Sequence, residues 1–147
     1  MLRELQTKTG KVYDAMNTAA SAMVVGMGVV KDYTKNEVKF PGEATDKGVF
    51  FVTKEKRAEG IYAGLGEFSD YEDMFMNIKA GEGVKLVSPE KAERYATDQI
   101  TEGAAVGDYL AVGTDGKFAK SETATRFVYR GKKKIDRHQL DVIEVIE

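Results

Sequence analysis

Thr114-Asp115-Gly116 interrupts two short apolar-rich runs, Tyr109-Leu110-Ala111-Val112 before it and the stretch from Lys117-Phe118 after it. Asp-Gly between such runs is among the strongest local signals for a tight reversal between antiparallel strands. Similar punctuation recurs at Pro41-Gly42 and across Lys79-Ala80-Gly81-Glu82-Gly83. It cuts the chain into pieces that suit strands better than long helices. The 15 glycines, seven Tyr and seven Phe among 147 residues favour the same outcome.

The first strand is expected over Ala22–Val30, a Val- and Met-rich run. Gly26 and Gly28 within it predict a bulge or a close approach by another part of the chain. Further strands are expected over Glu37–Phe40, Gly48–Thr53, Ile61–Ala63, Ile78, Val84–Val87 and Arg94–Ala96. Gly48–Thr53 is apolar on both faces and reads as central. The hairpin Tyr109–Phe118 follows, then Arg126–Arg130 and a closing strand, Leu140–Ile146. In that last strand Leu140, Val142 and Ile146 share one face while Ile143 and Val145 share the other. This predicts burial on both sides, or contact with a second subunit. Ser88-Pro89 has the residue types of a helix start. Leu65, Phe68, Tyr71 and Phe75 have helical spacing, although a long loop that carries the aromatics to a partner fits as well.

Residues 1–21 are polar with few large apolar groups, and read as an extended N-terminal arm, either frayed or ordered on a neighbour. Residues 22–147 read as a single β-rich domain. The expected fold class is all-β, or mainly β with one or two short helices, forming a small barrel or sandwich.

Chemistry is sparse. Without cysteine, disulfides and thiolate metal sites are excluded. His138 is the single histidine, set among charged residues in Asp136-Arg137-His138-Gln139, and reads as an exposed turn or strand-edge residue. No nucleophile–base motif accompanies it. Glu67, Asp70, Glu72 and Asp73 form the densest acidic group, but their spacing is not that of a calcium loop. No catalytic residue, metal site or cofactor is expected. No secretory leader and no membrane span are expected either. Charged residues are 31% of the chain, yet the net charge is only −2, so the totals do not point to nucleic acid. The basic run Arg130, Lys132, Lys133 and Lys134 reads as a turn around Gly131. Paired with Phe127 and Tyr129 as stacking platforms, it offers a nucleic-acid-binding barrel as an alternative function.

Taken in order, Arg94-Tyr95-Ala96-Thr97-Asp98-Gln99, Gly107-Asp108-Tyr109-Leu110, Asp115-Gly116-Lys117-Phe118 and Arg126-Phe127-Val128-Tyr129 resemble capsid decoration (cement) proteins of tailed phages of Gram-positive bacteria. The resemblance covers the last third of the chain well and the first half loosely. It implies a non-enzymatic virion protein, made in the host cytoplasm and added to the outside of an assembled capsid. There it would clamp neighbouring major capsid proteins as a homo-oligomer such as a trimer. A tail or adaptor protein of similar build is the nearest alternative. The expected contact surfaces are the arm, the segment with Phe68, Tyr71 and Phe75, and the basic group Arg130, Lys132, Lys133 and Lys134.

Overall fold

The computed structural model describes residues 1–54 and 76–147 and is nearly all β. Its strands begin with β1 (Leu2–Gln6), β2 (Tyr13–Ala19), β3 (Met23–Val24), β4 (Gly28–Asp32), β5 (Glu37–Lys39) and β6 (Val49–Thr53). They continue with β7 (Asn77–Ile78), β8 (Gly83–Val87), β9 (Arg94–Thr97) and β10 (Tyr109–Val112). The last three are β11 (Phe118–Ser121), β12 (Phe127–Ile135) and β13 (His138–Val145). Six form an antiparallel sheet in the order β1-β9-β13-β12-β10-β11. Five close a barrel in the order β2-β5-β4-β6-β8, with β2 and β5 as its one parallel pair. β3 and β7 make a two-stranded ribbon that adds Met23 and Ile78 to the barrel core.

The double-sided strands explain how sheet and barrel join. Along β6 the side chains alternate between two cores. Val49 and Phe51 enter a core shared with the six-stranded sheet, and Val52 fills the barrel interior with Phe50 packed beside it. β8 divides in the same way, with Val87 in the shared core and Val84 and Leu86 inside the barrel. A strand segment that walls off two apolar compartments has no face for polar residues, which is why Val49–Val52 and Leu86-Val87 lack alternation, whereas Lys85, earlier in β8, lies over the Tyr13 ring. At the centre of the shared core Phe51 stacks on Tyr95 at 4.6 Å between ring centroids and on Phe118 at 5.2 Å. Phe127 meets Phe51 and Phe118 edge-on at 6.1 and 5.4 Å. Each such pair adds roughly 0.5–1.5 kcal/mol beyond simple area burial.

β13 is buried on both sides within the chain. Ile143 and Val145 join the shared core, while Leu140 and Val142 pack with Ala96 under Met1, Leu5 and Ile135. The β10–β11 hairpin also forms as its sequence predicts. Val112 pairs with Phe118, Gly116 takes φ 78°, and the Asp115 carboxylate accepts the Lys117 amide at 3.0 Å.

Several expectations need correction. Residues 1–21 do not form a free arm: β1 pairs with β9, and β2 pairs with β8 and β5. Their order comes from backbone pairing and ion pairs, which apolar content does not register, together with a few apolar contacts of Met1, Leu2, Leu5 and Ala19 with the cores. Ala22–Val30 is two strands, broken where Gly26 adopts φ 100°. β7 pairs with β3 rather than with β8, so Lys79–Gly83 is a turn but not a hairpin. Ser88-Pro89 starts no helix; the Glu93 carboxylate takes the Glu90 amide, and Ala92 at φ 73° reverses the chain. Gly131–Lys134 lies within β12, and the reversal falls at Asp136-Arg137, where Asp136 has φ 55°. The expected strand at Ile61–Ala63 and the aromatic face with Phe68, Tyr71 and Phe75 lie outside the described residues.

The close approach expected at Gly26 and Gly28 is present. A Cβ on Gly28 would lie 2.4 Å from a Val112 methyl, and the Gly28 amide donates to the Gly116 carbonyl at 2.8 Å. This contact seats β4 of the barrel on the β10–β11 hairpin of the sheet. Gly28→Ala is therefore expected to cost about 1–3 kcal/mol through overpacking. Gly42→Ala, with nothing within 4 Å of its new methyl, is expected to stay within about 0.5 kcal/mol of wild type. Urea denaturation midpoints of the two variants check this.

Candidate functional site

β12 has a bulge between Tyr129 and Lys132, with Gly131 at φ 93°. Before it, β12 is flanked on both sides, because β10 pairs with Phe127 and Val128. Beyond it, only β13 accompanies the strand, from Lys132 opposite Asp141 to Ile135 opposite His138. β9 reaches no further along β13 than Asp141. The distal half of the β12–β13 hairpin therefore projects as a two-stranded ribbon. Lys132, Lys133 and Lys134 are exposed on it and, among the described residues, make no ion pair.

The ribbon root borders a depression of about 410 Å³ lined by Leu5, Arg94, Arg130, Lys132, Lys133 and Val142. Arg94 and Arg130 come from β9 and β12 and converge on Glu144 of β13 between them, at 3.2 and 2.7 Å. Glu144 stands directly opposite both Arg94 and Val128 in the ladders, so the strand order builds this bridge. The structure thus brings together three of the expected site residues, Arg130, Lys132 and Lys133. Lys134 follows on the same ribbon without lining the depression. Arg94 is a member that sequence reasoning missed, because its partner lies 50 positions away on a strand whose register the sequence does not reveal.

Lys132 also borders a smaller depression of about 210 Å³, shared with Thr101, Glu102, Tyr129 and Asp141. Here the Tyr129 hydroxyl donates to Asp141 at 2.7 Å. Burial first, then this hydrogen bond and the carboxylate charge, push the phenol up to about 12. Tyr129 is consequently a fixed neutral donor. Its ring is 6% exposed and Phe127 is fully buried, so neither offers a face on which a base could stack.

One buried charged cluster resembles acid–base machinery. Glu93 accepts hydrogen bonds from Lys11, from the Tyr95 hydroxyl at 2.5 Å, and from the Lys8 and Glu90 amides at 3.0 and 2.8 Å. Burial alone would raise its carboxyl. The hydrogen bonds from Lys11, Tyr95 and the two amides overcome that and hold it at about 2. Burial beside this carboxylate drives the Tyr95 phenol strongly upward. The side chains of Glu93 and Lys11 are only 1% and 5% exposed. A carboxylate so enclosed and already satisfied is a fastening: it ties the link between β1 and β2 to β9. Sequence reasoning missed it, since Lys11 and Glu93 are 82 positions apart.

His138 is half-buried at the start of β13, opposite Ile135. No group of three or more His, Asp or Glu placed to hold a metal occurs among the described residues. Phe68, Tyr71 and Phe75, with the acidic group around them, lie outside the described residues.

Compared with family models, curated proteins and solved structures, the chain finds no match in any of the three.

The Glu93 fastening has a pH signature. A carboxyl held below its unfolded value stabilises the fold above that value and loses the contribution as pH falls. Stability of the wild-type protein is expected to decline between about pH 4.5 and about 2 through this group. Glu93→Gln is expected to cost on the order of 3 kcal/mol at pH 7 and to flatten that acid limb. Urea titrations of both proteins across the pH range check the slope.

Proposed function

We propose that this chain is a structural virion protein that binds the outside of an assembled phage capsid and clamps neighbouring major capsid proteins. The observation that carries this reading is the ordered run of motifs from Arg94 to Tyr129. It resembles capsid decoration proteins, and it supplies Tyr95, Leu110, Phe118, Phe127 and Tyr129 to one core. In this reading the chain works by binding alone. A small domain whose sheets share a core suits clamping, because contacts on different faces are held at fixed separations. Many copies with several weak contacts each then add resistance to internal pressure by avidity.

The clamp does not use a free N-terminal arm, since β1 and β2 are built into the sheets. Nor does the apolar face of β13 call for a second subunit, because Leu140 and Val142 are covered within the chain. Of the expected contact surfaces, the one that lies among the described residues and stays exposed is the cationic ribbon, with the depression at its root. A tail or adaptor component would use the same surface. An oligonucleotide binder would have to use it without the aromatic platforms.

Sedimentation with empty capsids of its own phage, with oligonucleotide as control, tests the reading. The protein is expected to pellet with capsids and to ignore oligonucleotide. Failure to pellet, together with oligonucleotide binding that weakens steeply with salt, would overturn the proposal.

A further inference from the structure

We infer that the open edge of β12 beyond its bulge, together with the basic depression beside it, takes an acidic extended segment of a partner protein as an added strand. The backbone supplies the first half of the argument. At Tyr129 the edge is closed, because Gly107 donates to its carbonyl at 2.8 Å and its amide donates to Asp108 at 2.9 Å. From Lys132 to Ile135 no further strand and no backbone hydrogen bond covers that edge among the described residues. A sheet edge of this kind accepts an extended peptide through main-chain hydrogen bonds.

The side chains supply the second half. Consecutive residues of a strand point to opposite faces, so Lys132 and Lys134 flank the edge on one face and Lys133 on the other. A docked strand therefore meets a cation on either side, which favours acidic residues at consecutive rather than alternate positions. Arg94 and Arg130 extend the positive field on the face of the depression, and Glu144 is already shared between them. Leu5 and the small exposed margin of Val142 line the same depression, a place for one apolar side chain to rest. Of the other charges close by, Asp141 is engaged with Tyr129 and Asp136 with Arg3 at 3.3 Å, Glu102 lines the smaller depression beside Lys132, and Arg137 at the reversal adds to the positive field. A nucleic-acid strand suits the site less well, because among the described residues its bases would find no aromatic face there.

Charged edge strands also serve simply to prevent aggregation, and the test must separate the two roles. A fluorescein-labelled hexapeptide of five glutamates and one valine serves as probe, with the all-glutamine analogue and decathymidylate as controls. Anisotropy is expected to show saturable binding of the glutamate peptide, weakened by about tenfold or more between low and moderate salt. The triple variant Lys132→Glu, Lys133→Glu, Lys134→Glu keeps a charged edge, so an edge guard would survive it, but it is expected to weaken peptide binding by about tenfold or more. Arg94→Gln, which leaves the ribbon unchanged, is expected to weaken it less, and Lys35→Glu in the β4–β5 turn to leave it unaltered. Absence of peptide binding, equal binding of the glutamine analogue, or tighter binding of decathymidylate would each overturn the inference. So would full affinity in the triple variant. The capsid reading is not used here, and the two fail separately. Capsid binding that survives the triple variant counts against this edge alone, and peptide binding without capsid binding counts against the capsid reading alone.

Discussion

The packing of Phe51 against Tyr95, Phe118 and Phe127 is the interaction on which the rest of this structure depends. Phe51 belongs to a barrel strand and its partners belong to the six-stranded sheet. Without that cluster the barrel wall would present Val49, Phe51 and Val87 to water, and the sheet would expose the rings facing them. Removing a fully buried Phe ring typically costs about 3–5 kcal/mol, a large share of the stability of an ordinary domain. The smaller contacts between sheet and barrel follow from this one. They include Gly28 beneath Val112 and the paired hydrogen bonds between Thr45 and Val112 at 2.8 and 3.0 Å.

The first strands are held differently. β1 and β2 add Leu2, Leu5 and Ala19 to the cores and complete both sheets, and Lys11 carries a charge into a nearly closed site where Glu93 waits with hydrogen bonds from Tyr95 and two amides. A buried ion pair stabilises only when its remaining polar groups are satisfied, and here the Glu93 carboxylate is. Tyr95 links the two devices: its ring stacks on Phe51 and its hydroxyl bonds Glu93.

Much of this fold is legible in the sequence where the signal is local. The Asp115-Gly116 turn and the double-sided apolar runs of β6 and β13 correspond to real elements. So does the close approach at Gly28. Long-range pairing is not legible, which is why β1 and β2 read as a loose arm: their partners β9 and β8 lie far along the chain. The basic group illustrates the same limit. Its charges can be read from the sequence, but Gly131 suggests a turn where the structure has a bulge, and the reversal occurs two residues after the lysines. That displacement turns a hairpin tip into a lysine-bearing strand edge. Arg94 joins it only through the strand order β9-β13-β12, which brings Glu144 between two arginines.

The functional reading needs a body that holds its contact surfaces at fixed positions, so the central claim is that barrel and sheet form one cooperative unit. Native-state hydrogen exchange on wild type and Phe51→Ala tests this most directly, comparing amides of β8 in the barrel with amides of β13 in the sheet. If the shared core governs both, the two sets exchange with the same opening free energy, and the substitution lowers both equally. Protection that falls in β8 while β13 keeps its wild-type value would contradict the claim.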